Sequence, residues 1–264
     1  MIPVKCDHPP GTIAVVAADR PRYFECLDAL MATQVPPYTH FIRISQYNVA
    51  AGRNLACQQA TGDWVWFIDD DHNWAPDTLI NLLNHRVDVV GPLVARCYPP
   101  FQPQAFIQFD GEHFEDNYLH NWDTLQLHLD MGETLLDVPA LGTPGLLVRR
   151  PVWDALQPYP FEWPHKDSNK VTEDTWFTWK AHQAGFKVCV DLTIPFPHLT
   201  TLAVYAYAKN GVLKVCGGIG NEEMTLQTAK RTIVPDAVRS PAPDTGNLTA
   251  RGLAHNPKEC YETA

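Results

Sequence analysis

Three consecutive aspartates interrupt an apolar stretch of the chain in a way that suggests chemistry. Asp69, Asp70 and Asp71 follow the aromatic run in WVWFIDDDHNW (64–74). Carboxylates this close repel one another, each by roughly a kcal/mol or more where solvent is partly excluded. Two explanations remain open from the triplet alone. It forms a solvated turn after a strand, or it binds a divalent cation that offsets the repulsion.

Two later segments carry residues that could act together with the triplet. VTEDTW (171–176) places Glu173 and Asp174 at the predicted start of a helix, where the helix dipole keeps a carboxylate ionised. Such a carboxylate could take a proton from a hydroxyl, or it could be an ordinary first-turn acid. PFPHL places His198 after a predicted strand, as a loop histidine or as a ligand. Mg²⁺ and Mn²⁺ accept carboxylates, and Mn²⁺ also accepts imidazole.

The elements around these residues alternate between strand and helix. Apolar, β-branched runs predict strands at 12–18, 39–45, 63–69 and 87–94, with helices between them. This alternation indicates a parallel sheet with helices on both faces, and such sheets bind ligands beyond the carboxyl ends of their strands. Asp19 and the aspartate triplet lie at such ends. The position of the triplet therefore favours the cation.

The second half of the chain has a looser pattern. A Pro-rich, aromatic excursion begins near 97, with a strand predicted at QAFIQF (104–109). We then expect two strands and a helix within 137–156, a mobile loop at 159–170, a helix at 171–185 and a strand at 186–194. The predicted organisation is a single domain over 1–210, with a nucleotide-binding part at about 10–96, an acceptor part at about 97–200, and an irregular tail at 211–264.

Composition excludes several classes of protein. The net charge is −10 and no Lys/Arg run occurs, so binding to a nucleic-acid backbone is not expected. The seven cysteines form no CxxC pair and have no zinc-site spacing. The sequence has no hydrophobic signal core and no apolar stretch long enough to span a membrane, which predicts a cytoplasmic protein.

Taken in order, the motifs resemble those of GT-A glycosyltransferases, especially the family-2-like group, over roughly residues 10–200. VVAADRPRYFECLDAL is similar to the strand and helix that hold the nucleotide base in that family. The stretch from the RN pair (53–54) through FIDDDH resembles its DxD region, and LGTPGLLVRRPVW its acceptor-side strand pair. TEDTWFTWKAHQAGFKVCVDLTIPFPH resembles its ED motif and late metal histidine. The resemblance implies an α/β fold whose mostly parallel central sheet is flanked by helices, with a Rossmann-like nucleotide-binding half and an acceptor half.

The resemblance also implies roles for individual residues. Asp174 would be the catalytic base, with Glu173 beside it orienting the sugar or the acceptor. The other implied sets are donor binding by Ala17, Asp19, Arg53, Asn54, Asp69 and Asp70, metal binding by Asp69, Asp71 and His198, and acceptor binding by Gly142 and Trp163. The metal could instead be bound by Asp71 together with His72, and we refer to these two choices of ligands as metal registers. Both registers stay open. Because Trp163 lies in a loop, it is a better candidate for stacking on a sugar than the tryptophans of the strands.

The expected activity is transfer of a sugar, of hexosyl type, from a nucleoside-diphosphate sugar to an acceptor hydroxyl. A UDP-sugar is the expected donor, Mn²⁺ or Mg²⁺ the cofactor, and a glycan, protein or small molecule the acceptor. A base at Asp174 implies inversion, although retaining enzymes share the fold. A sugar nucleotidyltransferase is an alternative, but AADRPRY lacks its Gly-rich phosphate loop. A non-catalytic carbohydrate- or metal-binding module is another, which leaves the ED helix without a role. The absence of a QxxRW motif argues against a processive membrane synthase.

Overall fold

The computed structural model describes residues 1–17, 23–45, 48–97, 101–111, 117–164, 171–200, 203–209, 212–219 and 222–225. The helices are α1 (Phe24–Ala32), α2 (Val49–Gln59), α3 (Thr78–Asn84), α4 (Trp122–Asp130), α5 (Arg150–Ala155) and α6 (Glu173–Gln183). The strands of the first half are β1 (Ile2–Pro3), β2 (Thr12–Val16), β3 (Gln34–Val35), β4 (His40–Ile44), β5 (Trp64–Ile68) and β6 (Val89–Leu93). Those of the second half are β7 (Phe106–Gln108), β8 (Tyr118–Leu119), β9 (Leu135–Asp137), β10 (Leu147–Arg149), β11 (Val188–Pro195), β12 (Ala203–Lys209), β13 (Val212–Ile219) and β14 (Glu222–Thr225).

The central sheet is mixed and largely parallel, in the order β4-β2-β5-β10-β6-β11-β9. Strand β2 pairs in parallel with β4 and β5, and β6 pairs in parallel with β11. Strand β10 lies antiparallel between β5 and β6, and β9 is antiparallel to β11. The predicted α/β class with a mostly parallel sheet is confirmed. The antiparallel insertion of β10 was not expected, because strand–helix alternation carries no information on a strand that enters from a turn.

Both faces of the sheet are covered, as the alternation of residues along β5 illustrates. Val65 and Phe67 pack into the cluster that includes side chains of α2, α5 and α6. Trp64, Trp66 and Ile68 pack into the opposite cluster, with side chains of α1 and α3. Neighbouring residues of a strand point to opposite faces. All five side chains are buried, so the two strand tryptophans belong to the core.

Two segments differ from the sequence-based expectation. Helix α4 lies just beyond the Pro-rich excursion, in a stretch for which no element was predicted, and the Asn121 side chain caps it by accepting a hydrogen bond from the Thr124 N–H. The tail expected to be irregular from 211 contains β13 and β14, which pair antiparallel with each other, and β13 pairs with β12. The expectation is therefore wrong for 212–219 and 222–225, where β-branched residues and the short connections permit hairpins. Residues 226–264 lie outside the described ranges.

The helices of the described part of the chain are short. None of them has the length and apolar character that crossing a bilayer requires.

Candidate active site

The candidate site lies at the carboxyl edge of the parallel strands, where two loops meet. Asp69, Asp70 and Asp71 follow β5 directly, and His198 lies three residues beyond the end of β11. The backbones of His72 and His198 form an isolated antiparallel bridge. The Leu199 N–H also donates to the Asp71 carbonyl oxygen at 2.7 Å. These backbone bonds place the two loops side by side without any contribution from a side chain.

Asp71, His72 and His198 form a compact group of metal-ligand type. One ligand atom from each residue lies within 4.8 Å of those of the other two. The Nε2 atom of His198 is 3.2 Å from Asp71 Oδ2, and the Nδ1 atom of His72 is 2.9 Å from Asp71 Oδ1. The two imidazole rings lie with their centroids 4.1 Å apart and their planes tilted by 31°. A carboxylate and two imidazoles that converge in this way are suitable ligands for a first-row transition metal.

Asp71 and His198 each stabilise the charged form of the other. Burial by itself would raise the pKa of the Asp71 carboxyl, but hydrogen bonds from His198 and His72 outweigh it and hold that pKa well below its usual range. Burial opposes protonation of His198, whereas Asp71 and the Ala95 carbonyl raise the pKa of its imidazole. His198 Nδ1 lies 3.0 Å from that Ala95 oxygen. A proton on Nδ1 leaves Nε2 as the nitrogen available to a cation.

His72 is the least satisfied polar side chain of the group. It is 1 % exposed, and although its Nδ1 atom lies 2.9 Å from Asp71 Oδ1, its Nε2 atom has no hydrogen-bond partner among the described residues. A buried polar atom without a partner costs free energy, and a bound cation would relieve that cost. Asp69, in contrast, lies outside the group and pairs with Arg53. The geometry therefore favours the register of Asp71 with His72 over that of Asp69 with Asp71.

Arg53 of α2 connects the aspartate triplet to the start of α6. Its Nη2 atom donates to Asp69 Oδ1 at 3.1 Å, and its Nη1 atom donates to Glu173 Oε1. Arg53 is 3 % exposed and Glu173 is 4 % exposed. Burial, and then the Asp174 charge, raise the pKa of Glu173, which Arg53 opposes. Glu173 is thus paired with the buried Arg53 guanidinium. This pairing leaves the next residue, Asp174, as the acid that is more available for chemistry.

Asp174 is partly exposed and firmly oriented. Its Oδ2 atom accepts from the Thr143 N–H at 3.3 Å, and its Oδ1 atom accepts from the Thr175 N–H at 2.8 Å and from the Thr172 hydroxyl. The sequence analysis assigned neither Thr143 nor Thr172 to the site. The VTED stretch does contain a local signal, because a Thr just before a helix tends to bond nearby first-turn groups. The contact with Thr143 is long-range and has no such signal.

The loop before β10 is fixed against α6 by Thr178. The Thr178 hydroxyl donates to the Leu141 carbonyl oxygen at 2.8 Å and accepts from the Leu141 N–H at 2.9 Å. Gly142 follows directly, and a Cβ atom there would lie 2.4 Å from Gln104 Oε1. The two contacts hold the backbone of this loop beside Asp174. Gly142, the predicted acceptor residue, is therefore close in the chain to the Thr143 amide that orients the carboxylate.

The remaining predicted residues lie at varied distances from this centre. Ala17 directly follows β2, and its N–H donates to the Ile44 carbonyl oxygen at 3.0 Å. Asp19 lies outside the described residues. Asp70 is buried, with 4 % of its surface exposed. Asn54, expected to support the nucleotide and the DxD loop, instead bonds the backbone of Phe161 twice, at 2.7 and 2.9 Å. Trp163 is 48 % exposed in the same segment as Phe161.

Replacing Arg53 by methionine is expected to destabilise the fold, because it leaves the buried Glu173 carboxylate without its cation. Breaking a buried pair in this way typically costs about 3–5 kcal/mol of unfolding free energy, measurable by urea denaturation. The double variant Arg53→Met/Glu173→Gln should recover part of the loss, since no charge is then left unpaired at that pair. A single variant as stable as the wild type would contradict the structural role of the pair.

Comparison with known proteins supports part of this description. Residues 25–130 match the model of the glycosyl transferase family 2, a range that includes Arg53 and the aspartate triplet but ends before α6. No curated protein sequence matches the chain. The crystal structure of A197 from STIV is similar at 12% identity and a TM-score of 0.46, covering 72% of this chain and 87% of that chain.

The crystal structure of TarS (1–349) from S. aureus is similar at 16% identity and a TM-score of 0.45. The match covers 72% of this chain and 60% of the TarS chain. The likeness to this family depends on the sequence match, which contains the strand, the triplet and the helix that carries Arg53. Residues 25–130 of this chain are therefore similar to the glycosyl transferase family 2, the family that its motifs resemble.

Proposed function

We propose that the protein is a metal-dependent glycosyltransferase that moves a sugar from a nucleoside-diphosphate sugar to an acceptor hydroxyl. The observation that carries this proposal is the meeting of two groups at one edge of the sheet. A carboxylate and two imidazoles converge there at Asp71, and Arg53 joins the neighbouring Asp69 to the acids that begin α6. The residues proposed to bind the metal and those proposed to transfer the proton are therefore linked through Asp69 and Arg53.

Asp71, His72 and His198 would hold the cation. The Nε2 atom of His72, which has no hydrogen-bond partner among the described residues, and the Nδ1 contact of His198 with Ala95 fit such a ligand set. A bound divalent metal would stabilise the negative charge that develops on the departing diphosphate. Mg²⁺ prefers oxygen ligands, whereas Mn²⁺ also accepts imidazole, so two histidines favour Mn²⁺.

Asp174 would accept the proton of the acceptor hydroxyl. Its carboxylate is partly exposed and is held by backbone N–H groups of Thr143 and Thr175, whereas Glu173 is buried against Arg53. A base needs a free lone pair within reach of the incoming hydroxyl, which a buried, ion-paired carboxylate does not offer. A base separate from the metal group is consistent with a single displacement and inversion at the anomeric carbon.

The nucleotide would lie over the end of β2 and the aspartate triplet. Ala17, Asp69 and Asp70 are the proposed donor residues among those described, and Asp69 keeps 24% of its side chain exposed next to Arg53. The proposed donor is a UDP-sugar, with Asp19 contacting the base or its ribose. A non-catalytic module would bind a cation equally well. However, it would have no use for an oriented Asp174, and that residue favours the transferase.

Titration with nucleoside diphosphates tests the proposal. We expect UDP to bind in the presence of Mn²⁺, to bind more weakly with Mg²⁺, and to lose affinity when EDTA removes the metal. Isothermal titration calorimetry with UDP, GDP and ADP would rank the nucleotides at the same time. If none of the three showed metal-dependent binding, both the metal role and the nucleotide-sugar donor would have to be abandoned.

A further inference from the structure

A cavity of about 460 Å³ lies between the outer face of α2 and the segment 159–163. Its volume falls within the range of small-molecule sites, roughly 300–1,000 Å³. Two aromatic side chains line it while remaining open to solvent, Tyr159 at 62% and Trp163 at 48% exposure. We call this site the aromatic cavity. Neither the metal group nor Asp174 contributes to its lining.

The aromatic cavity has a rigid inner wall. Phe161 is 1 % exposed, stacks on Phe177 of α6 with ring centroids 4.2 Å apart, and is fixed by the two Asn54 hydrogen bonds. Lys180 of α6 also holds the segment, by donating to the Tyr159 carbonyl oxygen at 3.2 Å and to Glu162 Oε1 at 2.7 Å. The exposed aromatic rings therefore project from a segment that is anchored to two helices.

Buried side chains connect the inner wall of the aromatic cavity to the start of α6. The Arg53 guanidinium carbon lies 5.9 Å from the centre of the Phe161 ring, and the same guanidinium contacts Glu173. Asp174 is the next residue along α6. Because Phe161, Arg53 and Glu173 are each at most 4 % exposed, this connection is a packing contact through the core. The cavity and the proposed catalytic acids therefore share supporting side chains.

The lining of the cavity has the chemistry of a saccharide site. Exposed aromatic faces are costly in water and commonly mark a binding surface, and the C–H faces of pyranose rings pack well against them. Asn48, Gln58 and Glu162 supply amide and carboxylate groups for sugar hydroxyls. No basic side chain lines the cavity within the described part of the chain, which disfavours a phosphate or an acidic sugar.

We infer that the aromatic cavity binds a neutral oligosaccharide, and that this oligosaccharide is the acceptor or an extension of it. The acceptor role rests on the proposed function. Binding itself does not, because neither donor nor metal takes part in it. The inference assigns the acceptor to the class of neutral glycans and gives Tyr159 and Trp163 the role of stacking platforms.

The test measures binding of cellopentaose, chitopentaose, maltopentaose and laminaripentaose by calorimetry and saturation-transfer NMR, in EDTA and without nucleotide. We expect at least one to bind, and Trp163→Ala to weaken that binding about tenfold or more by removing one stacking face. Trp163→Phe should retain most of the affinity, because it keeps an aromatic face. Tyr159→Ala should weaken binding in the same direction.

Matched controls separate a local site from a general effect of losing an aromatic residue. Trp122 and Tyr118 are also exposed, at 45% and 55%, and neither lines the cavity. Trp122→Ala and Tyr118→Ala should therefore bind the oligosaccharide as the wild type does. Circular dichroism and thermal melting would check that each variant is folded.

Two results would overturn the inference. One is the absence of binding of all four oligosaccharides to the wild type, and the other is equal binding by folded Trp163→Ala. Either result would leave metal-dependent UDP binding untouched, so it would not count against the proposed function. Conversely, oligosaccharide binding that depends on Trp163, in a protein that binds no nucleotide, would support the cavity and contradict the transferase.

Discussion

Asp174→Asn should remove sugar transfer while leaving donor and metal binding nearly intact. The amide keeps the volume of the side chain and one of its two acceptor oxygens, but it is unable to take the proton of an incoming hydroxyl. Loss of a general base typically lowers the rate about a hundredfold or more. The measurement is turnover of the donor sugar with acceptor present, set against calorimetric titration of UDP with Mn²⁺ on the same variant.

Glu173→Gln is the necessary control for this prediction, because the two acids are neighbours. Glu173 is the partner of Arg53, so its loss should change stability and the position of α6 more than the chemistry itself. A variant Asp174→Asn with near-normal transfer would contradict the assignment. If Glu173→Gln alone abolished transfer in a folded protein, the base would be Glu173.

Asp71→Ala should abolish metal-dependent nucleotide binding in a protein that remains folded. Asp71 is the residue that contacts both histidines, and it supplies the only carboxylate of the group found in the described residues. Substituting residues that merely support ligands costs about 10–100-fold in metal affinity, so loss of a ligand should cost at least as much. The fold should survive, because the backbone bridge between His72 and His198 does not involve the Asp71 side chain.

The nearby acid Asp77 provides the control for this second prediction. It is exposed at the start of α3 and belongs to no metal-ligand group found in the described residues. Asp77→Ala should bind Mn²⁺ and UDP as the wild type does. Calorimetry measures both, and the decrease in the electron paramagnetic resonance signal of free Mn²⁺ measures binding of the metal. Unchanged metal-dependent affinity in folded Asp71→Ala would refute the metal assignment.

The elements that hold the site could be predicted because their signals are local. Strand β5 is a run of buried apolar residues that ends at the triplet. Helix α6 begins directly after its N-cap residue Thr172 and is followed by Gly185 at a positive φ of 89°. Burial of the strand tryptophans followed from the same pattern. Helix α4 was missed because Leu125 is its only buried side chain, so the apolar periodicity along it is weak.

The pairing of residues within the site could not be predicted, because it depends on contacts between distant parts of the chain. Arg53 and Glu173 are 120 residues apart, and Asp71 and His198 are 127 apart. No local pattern indicates that Asp69 turns to Arg53 while His72 turns to His198. The two metal registers stayed open for that reason, and the position of Asn54 against Phe161 was not foreseen for the same reason.

Release of nucleoside diphosphate from a panel of UDP-sugars tests the central claim most directly. The wild type should release UDP from at least one donor when Mn²⁺ and an acceptor are present. It should stop when EDTA is added, and Asp71→Ala should release none. If no donor in the panel is turned over by the wild type with Mn²⁺ and acceptor, or if turnover is the same in EDTA and in Asp71→Ala, the protein is not a transferase of the kind described.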